Sequence, residues 1–304
     1  MAVIDNNSGA IISAVDFTRS NQKFGNSMVF SNTHPAASVF KVITAAALFE
    51  NTSKSPDSQY AFRGRSSTLY KNQLNSKKNN RKIKFSKAFA RSNNVVFGKV
   101  AMKELGAGPI FDMAKKFKFG SQFIDDLNIG HSVVQKPDNA FEIAELGSGF
   151  NRETRISPIH GALIASIVSN NGTYYKPYII DSIYNKYFNK QVYRGTKYKR
   201  RVLSFKTSSY LNDVMSKTLT IGTGRKTFRR FKLLDFLEIG GKTGSITGGE
   251  PYGKRDWFIA YAKPKFSSEG GISICVMIVN KKKWYVKSTL LAKKIIQYYY
   301  TGLD

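Results

Sequence analysis

Strand-forming runs stand at the two ends of this chain with helical spacing between them, and that separation constrains the fold more than any other feature. Residues 2–5 (AVID) and 10–15 (AIISAV) are β-prone and flank an Asn-Asn-Ser-Gly turn, a hairpin signal. Far along the chain, residues 237–241 run into Lys242, and residues 256–262 (DWFIAYA) and 271–279 (GISICVMIV) supply two more strand runs around a turn over 264–270. Strands so far apart in sequence form one sheet only if the chain ends meet. The pattern therefore predicts an α+β fold: an antiparallel sheet of about five strands built from both termini and flanked by helices, with a mostly helical lobe inserted. The expected layout is a single domain over 1–304, with a sheet-containing lobe from 1–50 and 200–304, a helical insertion over 51–199 and a cleft between them.

Between the ends, residues 36–50 follow Pro35 and hold no Gly or Pro, which predicts a helix starting near the proline. Residues 85–105 regain helical spacing and stop at Gly106; residues 158–168 do the same before Asn170-Asn171-Gly172. An amphipathic helix is expected over 288–300. Residues 51–84 read as loops with short elements, and residues 185–201, basic and rich in Tyr, as a surface excursion. No apolar run approaches the roughly 18 residues a membrane span needs, and the longest, 42–49, suits a buried helix. No signal-peptide pattern precedes the first strand, so either the location is cytosolic or an export or anchor segment lies outside this chain.

The single cysteine, Cys275, sits in an apolar strand run and reads as a core thiol; an intramolecular disulfide is impossible. Charge carries more information. Against 20 acidic residues stand 48 basic ones, a net charge of +28, with 12 Lys and Arg and no acid over 58–103 and 14 against Asp213 alone over 186–232. Such a surface attracts polyanions such as an acidic cell-wall polymer or anionic lipid. Nucleic acid is not expected, because the chain has no zinc-finger spacing, no aromatic–glycine RNA-binding signature and no basic heptads.

Three short strings carry chemistry. Ser38-Val39-Phe40-Lys41 on a helix would set a hydroxyl and an amine one turn apart on one face, close enough for proton transfer if burial or nearby cations lower the lysine pKa. The competing role for Ser38 is helix capping. Ser92-Asn93-Asn94 lies among apolar residues at the edge of a helical pattern, where a cap is again the alternative. Lys242-Thr243-Gly244-Ser245 follows two glycines on a predicted strand; there the glycines permit close backbone approach, Lys242 faces a carboxylate and the hydroxyls add donors. An edge strand charged against aggregation is the alternative. Decoys for the first two strings, Ser20-Asn21-Gln22-Lys23 and Ser169-Asn170-Asn171, lie in polar or plain-turn settings. Order and context therefore distinguish the real set.

In that order and context the chain resembles the penicillin-binding, serine D,D-transpeptidase family, whose motifs are Ser-x-x-Lys, Ser-x-Asn and Lys-Thr-Gly. Residues 88–105 (AFARSNNVVFGKVAMKEL) look like the family's second-motif region. Gly222-Thr223-Gly224-Arg225 and residues 256–264 (DWFIAYAKP) are similar to the high-molecular-weight branch. The resemblance spans nearly the whole chain and implies an active site in the cleft between the lobes. It implies acyl transfer from the D-Ala-D-Ala end of a peptidoglycan stem peptide, crosslinking the cell wall, with β-lactams as covalent inhibitors. Ser38 would be the nucleophile, Lys41 its base and Ser92 the proton relay to the leaving D-alanine. Asn94 would hold the peptide amide, while Lys242, Thr243, Gly244 and Ser245 bind the terminal carboxylate and line the site. The backbone N–H groups of Ser38 and Ser245 would form the oxyanion hole.

No cofactor or metal is implied. The resemblance places the domain outside the cytoplasm, anchored to the membrane by a segment missing from this chain. A D,D-carboxypeptidase or endopeptidase, or a non-catalytic sensor of wall fragments or β-lactams, would carry the same motifs. Efficient β-lactam hydrolysis is disfavoured: no Glu matches the class A deacylation residue, and Asn94 stands where class D enzymes carry an aliphatic side chain. Segments 51–84 and 185–201 match no family pattern.

Overall fold

The computed structural model describes residues 1–19, 23–24, 27–75, 81–195, 197–266, 270–281 and 284–302. Five strands form the central antiparallel sheet: β1 (Ala2–Asp5), β2 (Ile11–Ala14) and, after the two short strands β3 (Thr173–Tyr175) and β4 (Lys199–Arg201) that pair with each other elsewhere, β5 (Leu237–Gly248), β6 (Gly253–Pro264) and β7 (Ile272–Asn280). Their order is β5-β6-β7-β1-β2, so the sheet is assembled from both chain ends as the sequence pattern predicts. β1 pairs with β7 (Ala2 opposite Cys275) and with β2, and β5 pairs with β6 over its full length, Lys242 opposite Ile259. The predicted turn over 264–270 lies partly outside the described residues, as does the Ser20 decoy.

Both faces of the sheet are covered, which is why β6 and β7 read as continuous apolar runs and not as alternating ones. Successive side chains point to opposite faces. Ala2, Ile4, Trp257, Ile259, Tyr261 and Cys275 therefore join the large core built on α6 (Pro158–Ser169) and the central helices. Val3, Phe258, Ala260, Ala262, Ile274 and Val276 face the C-terminal helix α8 (Ser288–Thr301) through Ala292 and Ile296. Cys275 is fully buried, as expected of a core thiol.

The remaining α-helices of six or more residues, in chain order, are α1 (Lys41–Asn51), α2 (Phe85–Ala90), α3 (Asn94–Val100), α4 (Ala107–Lys116), α5 (Ala140–Ser148) and α7 (Phe205–Thr220). Two of them refine the sequence expectation. The helix predicted over 36–50 begins as a 3₁₀ turn, Ala37–Phe40, before α1, which is buried on every side from Lys41 to Phe49. The helical stretch predicted over 85–105 is broken at residues 91–93. Ser92 adopts a left-handed backbone, φ 55°, and the Asn93 side chain restarts the helix by accepting from Val96 N at 3.1 Å. The chain then widens into a π turn over Ala101–Leu105 and stops at Gly106, φ 71°.

Segment 51–84 holds a two-stranded ribbon, Gln59–Phe62 with Arg81–Lys84. The basic excursion over 185–201 contributes to a hairpin, Ser182–Asn185 with Lys190–Arg194, and to β4.

Candidate active site

The 3₁₀ turn makes the first pair. Side chains three residues apart eclipse in 3₁₀ geometry, and Lys41 Nζ lies 2.8 Å from Ser38 Oγ. The amine has two further neighbours, both carbonyl oxygens: Asn94 Oδ1 at 2.7 Å and the backbone oxygen of Ser148 at 2.6 Å. The Asn94 amide cannot turn over, because its Nδ2 donates to Ser67 O at 2.9 Å. Ser148 is the last residue of α5, where a carbonyl has no partner inside the helix. Left-handed Gly149 then turns the chain away beside Ala37.

Lys41 is fully buried, and a buried ammonium costs several kcal/mol unless it is well compensated. Burial, and secondarily the charge of Lys242, holds its pKa well below the ordinary lysine value. A neutral amine has two N–H donors and one lone pair. The two carbonyls take the donors, so the lone pair is left for the Ser38 hydroxyl proton. The arrangement can draw a proton from Ser38 and raise its nucleophilicity.

The second pair joins the other two strings. Lys242 Nζ donates to Ser92 Oγ at 3.0 Å and to Thr243 O at 2.8 Å. Its side chain is fully buried, and burial lowers its pKa to about 7. The left-handed backbone at Ser92 is costly for a residue other than glycine. It ends α2 and sets the side chain towards Lys242. Phe89 and Phe97, with ring centres 6.1 Å apart, flank the two amines; Lys41 Nζ is 5.5 Å from the Phe97 centre and Lys242 Nζ 5.6 Å from that of Phe89.

Neither serine is a helix cap. The 3₁₀ turn has no side-chain cap, and Asn93, not Ser92, caps α3. Ser38 and Ser92 are both partly exposed while their lysines are not, so the hydroxyls are the accessible ends of each pair.

β5 closes the site. It is the edge strand of the sheet, and it packs against the Ser38 turn at Gly244, where an added Cβ would lie 3.2 Å from Val39 N and 3.3 Å from Ala37 Cβ. The two glycines before Lys242 serve differently from the sequence expectation: they make room for Tyr261 and Phe258 of β6, whose ring atoms would lie under 3 Å from a Cβ there. Ser245 is exposed and Thr243 partly so. Trp257, opposite Gly244, donates from Nε1 to Pro35 O at 3.0 Å and ties β6 to the chain entering the Ser38 turn.

Sequence reasoning missed the roles of four residues. The Ser148 carbonyl had only an indirect signal: Asn139 and Glu142 form an N-terminal capping pair, which with Gly149 marks α5. The carbonyls of Ser66 and Ser67, which accept from Asn94 N and Nδ2, had none. Thr223 stands in the quoted Gly-Thr-Gly-Arg string, and its hydroxyl lies 2.5 Å from that of Thr243 while its N–H donates to Ala90 O at 3.0 Å. Among the described residues, no group of three or more His, Cys, Asp or Glu is placed to hold a metal ion.

A family model described as the penicillin binding protein transpeptidase domain matches residues 1–297. A search of curated proteins found no match. Among solved structures, apo penicillin-binding protein 3 from Mycobacterium tuberculosis superposes with a TM-score of 0.79 at 17% identity, over 99% of this chain and 72% of that one. The D,D-transpeptidase domain of a peptidoglycan glycosyltransferase from Eggerthella lenta gives 0.76 at 19% identity, over 100% and 78%. The imipenem acyl-enzyme of M. tuberculosis penicillin-binding protein A gives 0.72 at 18% identity, over 97% and 72%. At these identities the superpositions establish the shared fold.

Proposed function

The chain belongs to the penicillin-binding protein transpeptidase domain family, and on that footing we propose that it is a serine D,D-transpeptidase acting on the D-Ala-D-Ala end of peptidoglycan stem peptides. The observation that carries the reading is the buried Lys41 amine, held against Ser38 Oγ by two carbonyl oxygens. In the proposed reaction neutral Lys41 takes the Ser38 proton as Oγ attacks the penultimate carbonyl. The oxyanion forms between the N–H groups of Ser38 and Ser245, where one such donor is worth about 3 kcal/mol of transition-state stabilisation.

Ser92, hydrogen-bonded to Lys242, relays the proton taken up by Lys41 to the departing D-alanine, which leaves Lys41 neutral again. Thr243, Ser245 and Lys242 bind the terminal carboxylate. A carboxylate beside Lys242 favours its charged form and raises its pKa from about 7. The stem peptide lies along the free edge of β5 as an added strand. The acyl group on Ser38 then passes to an acceptor amine, and β-lactams stop the cycle by forming the same ester.

The wall substrate lies outside the cytoplasm, so the domain acts there. Among the described residues, no helix is long and apolar enough to cross a membrane.

The testing experiment incubates the protein with a stem-peptide donor and a D-amino acid acceptor. An exchanged or crosslinked product that is lost in Ser38→Ala supports the proposal. Exclusive release of the hydrolysed peptide would replace transpeptidation with carboxypeptidase action.

A further inference from the structure

A second concave site lies at the other end of α1 from Ser38, about 18 Å away by helix rise. It is a groove of about 560 Å³ between the end of α4 and strand β4, lined by Lys115, Lys116, Lys118, Arg200 and Arg201. The one carboxylate in the lining, Glu50, is already committed. Its oxygens accept from Ser204 Oγ at 2.9 Å and from Ser204 N at 3.3 Å, holding the start of α7. Lys115 faces Asp112 in an exposed pair at 3.8 Å, a weak interaction. Among the described residues Lys116, Lys118 and Arg200 form no ion pair within 4 Å, although the Lys116 charge helps to hold the Glu50 carboxyl below its ordinary pKa.

The cations are placed by the fold. The β3–β4 register sets Arg200 opposite Tyr174, so both side chains share one face. The Lys118 ammonium lies 4.5 Å from the centre of the buried Tyr174 ring, on a backbone held at φ 71°. Burial, then Arg200, then Lys176, push the Lys118 pKa below its ordinary value. Like charges held this close repel one another, and an anion between them would relieve that repulsion.

We propose that this groove binds a phosphodiester-bearing polymer, with Arg200 taking phosphate oxygens in a bidentate grip and the lysines acting as point charges along the chain. The concave shape fits a strand of polymer. Of its apolar lining, Tyr174 and Leu203 are buried and only Val202 is partly exposed, so the groove presents little to insert into a bilayer.

The test measures binding of a short inorganic polyphosphate at physiological salt by calorimetry, together with binding to phosphatidylglycerol vesicles. Lys118→Gln/Arg200→Gln removes two groove cations, and Arg229→Gln/Arg230→Gln removes two exposed cations outside the groove. Arg200→Gln alone, at an exposed residue, serves if the double variant does not fold. The groove variant is expected to bind polyphosphate about tenfold or more weakly and with a salt slope lower by about two. The control variant should change less than about twofold. Equal losses would mean a diffuse electrostatic surface, and no loss in the groove variant would mean no site; either overturns the proposal. Vesicle binding lost from the groove variant while polyphosphate binding persists would overturn it in favour of lipid.

Discussion

Asn94 Oδ1 stands 2.7 Å from Lys41 Nζ, and the same amide spends its Nδ2 on Ser67 O. A neutral acceptor thus faces the amine where the isosteric carboxylate of Asp would bring a negative charge and would set an oxygen against Ser67 O. The choice of amide keeps the lysine free of an opposite charge that would stabilise its protonated form.

Asn94→Asp therefore raises the Lys41 pKa, and the neutral fraction falls about tenfold for every tenfold gain in proton affinity. Acylation by fluorescent penicillin is expected to fall about tenfold or more at pH 7 and to recover as the pH approaches 10. Rate–pH profiles of the two proteins measure this. Superimposable profiles would show that Lys41 is not the base.

Lys242 makes a prediction about stability. Its folded pKa of about 7 lies below the ordinary lysine value of 10.5, so between those two pH values the unfolded chain binds more protons. The stability associated with its neutral form is fully present above 10.5 and is lost as pH falls through 7. The melting temperature of Lys242→Met, measured against that of the parent, should consequently stand higher at about pH 6 than at about pH 10.5. Melting curves across that range read the difference, and a gap independent of pH would contradict the lowered pKa.

Thr223→Val removes one hydroxyl that orients Thr243 without touching the Ser38–Lys41 pair. A neutral hydrogen bond is worth about 1 kcal/mol, so the acylation rate should drop by about fivefold. The acid limb of the pH profile should stay where it was. A shifted limb would mean that Thr223 acts through Lys41 and not through Thr243 of β5.

The sheet was legible because β6 and β7 are long, largely apolar and buried on both faces, and because the β1–β2 hairpin carries a local turn signal. The order of the three strings was legible too. Other features were not, for physical reasons. A break at Ser92 costs no hydrophobic periodicity, since the residues on both sides keep helical spacing across the left-handed kink. The Ser148 carbonyl is backbone, and any residue at that helix end would present the same oxygen. Lys242 reads in sequence as a cation at a strand edge, while the fold buries it and turns its amine onto Ser92. The roles of Gly240 and Gly241 depend on which β6 side chains lie across from them, and that depends on register.

The central claim, that Lys41 prepares Ser38 to accept an acyl group, is tested most directly by the intact mass of the protein after exposure to benzylpenicillin. A single adduct of the full antibiotic mass, mapped to the peptide bearing Ser38 and absent from a folded Ser38→Ala variant, is the predicted result. A folded parent protein with no adduct, or an adduct that survives Ser38→Ala, would contradict it.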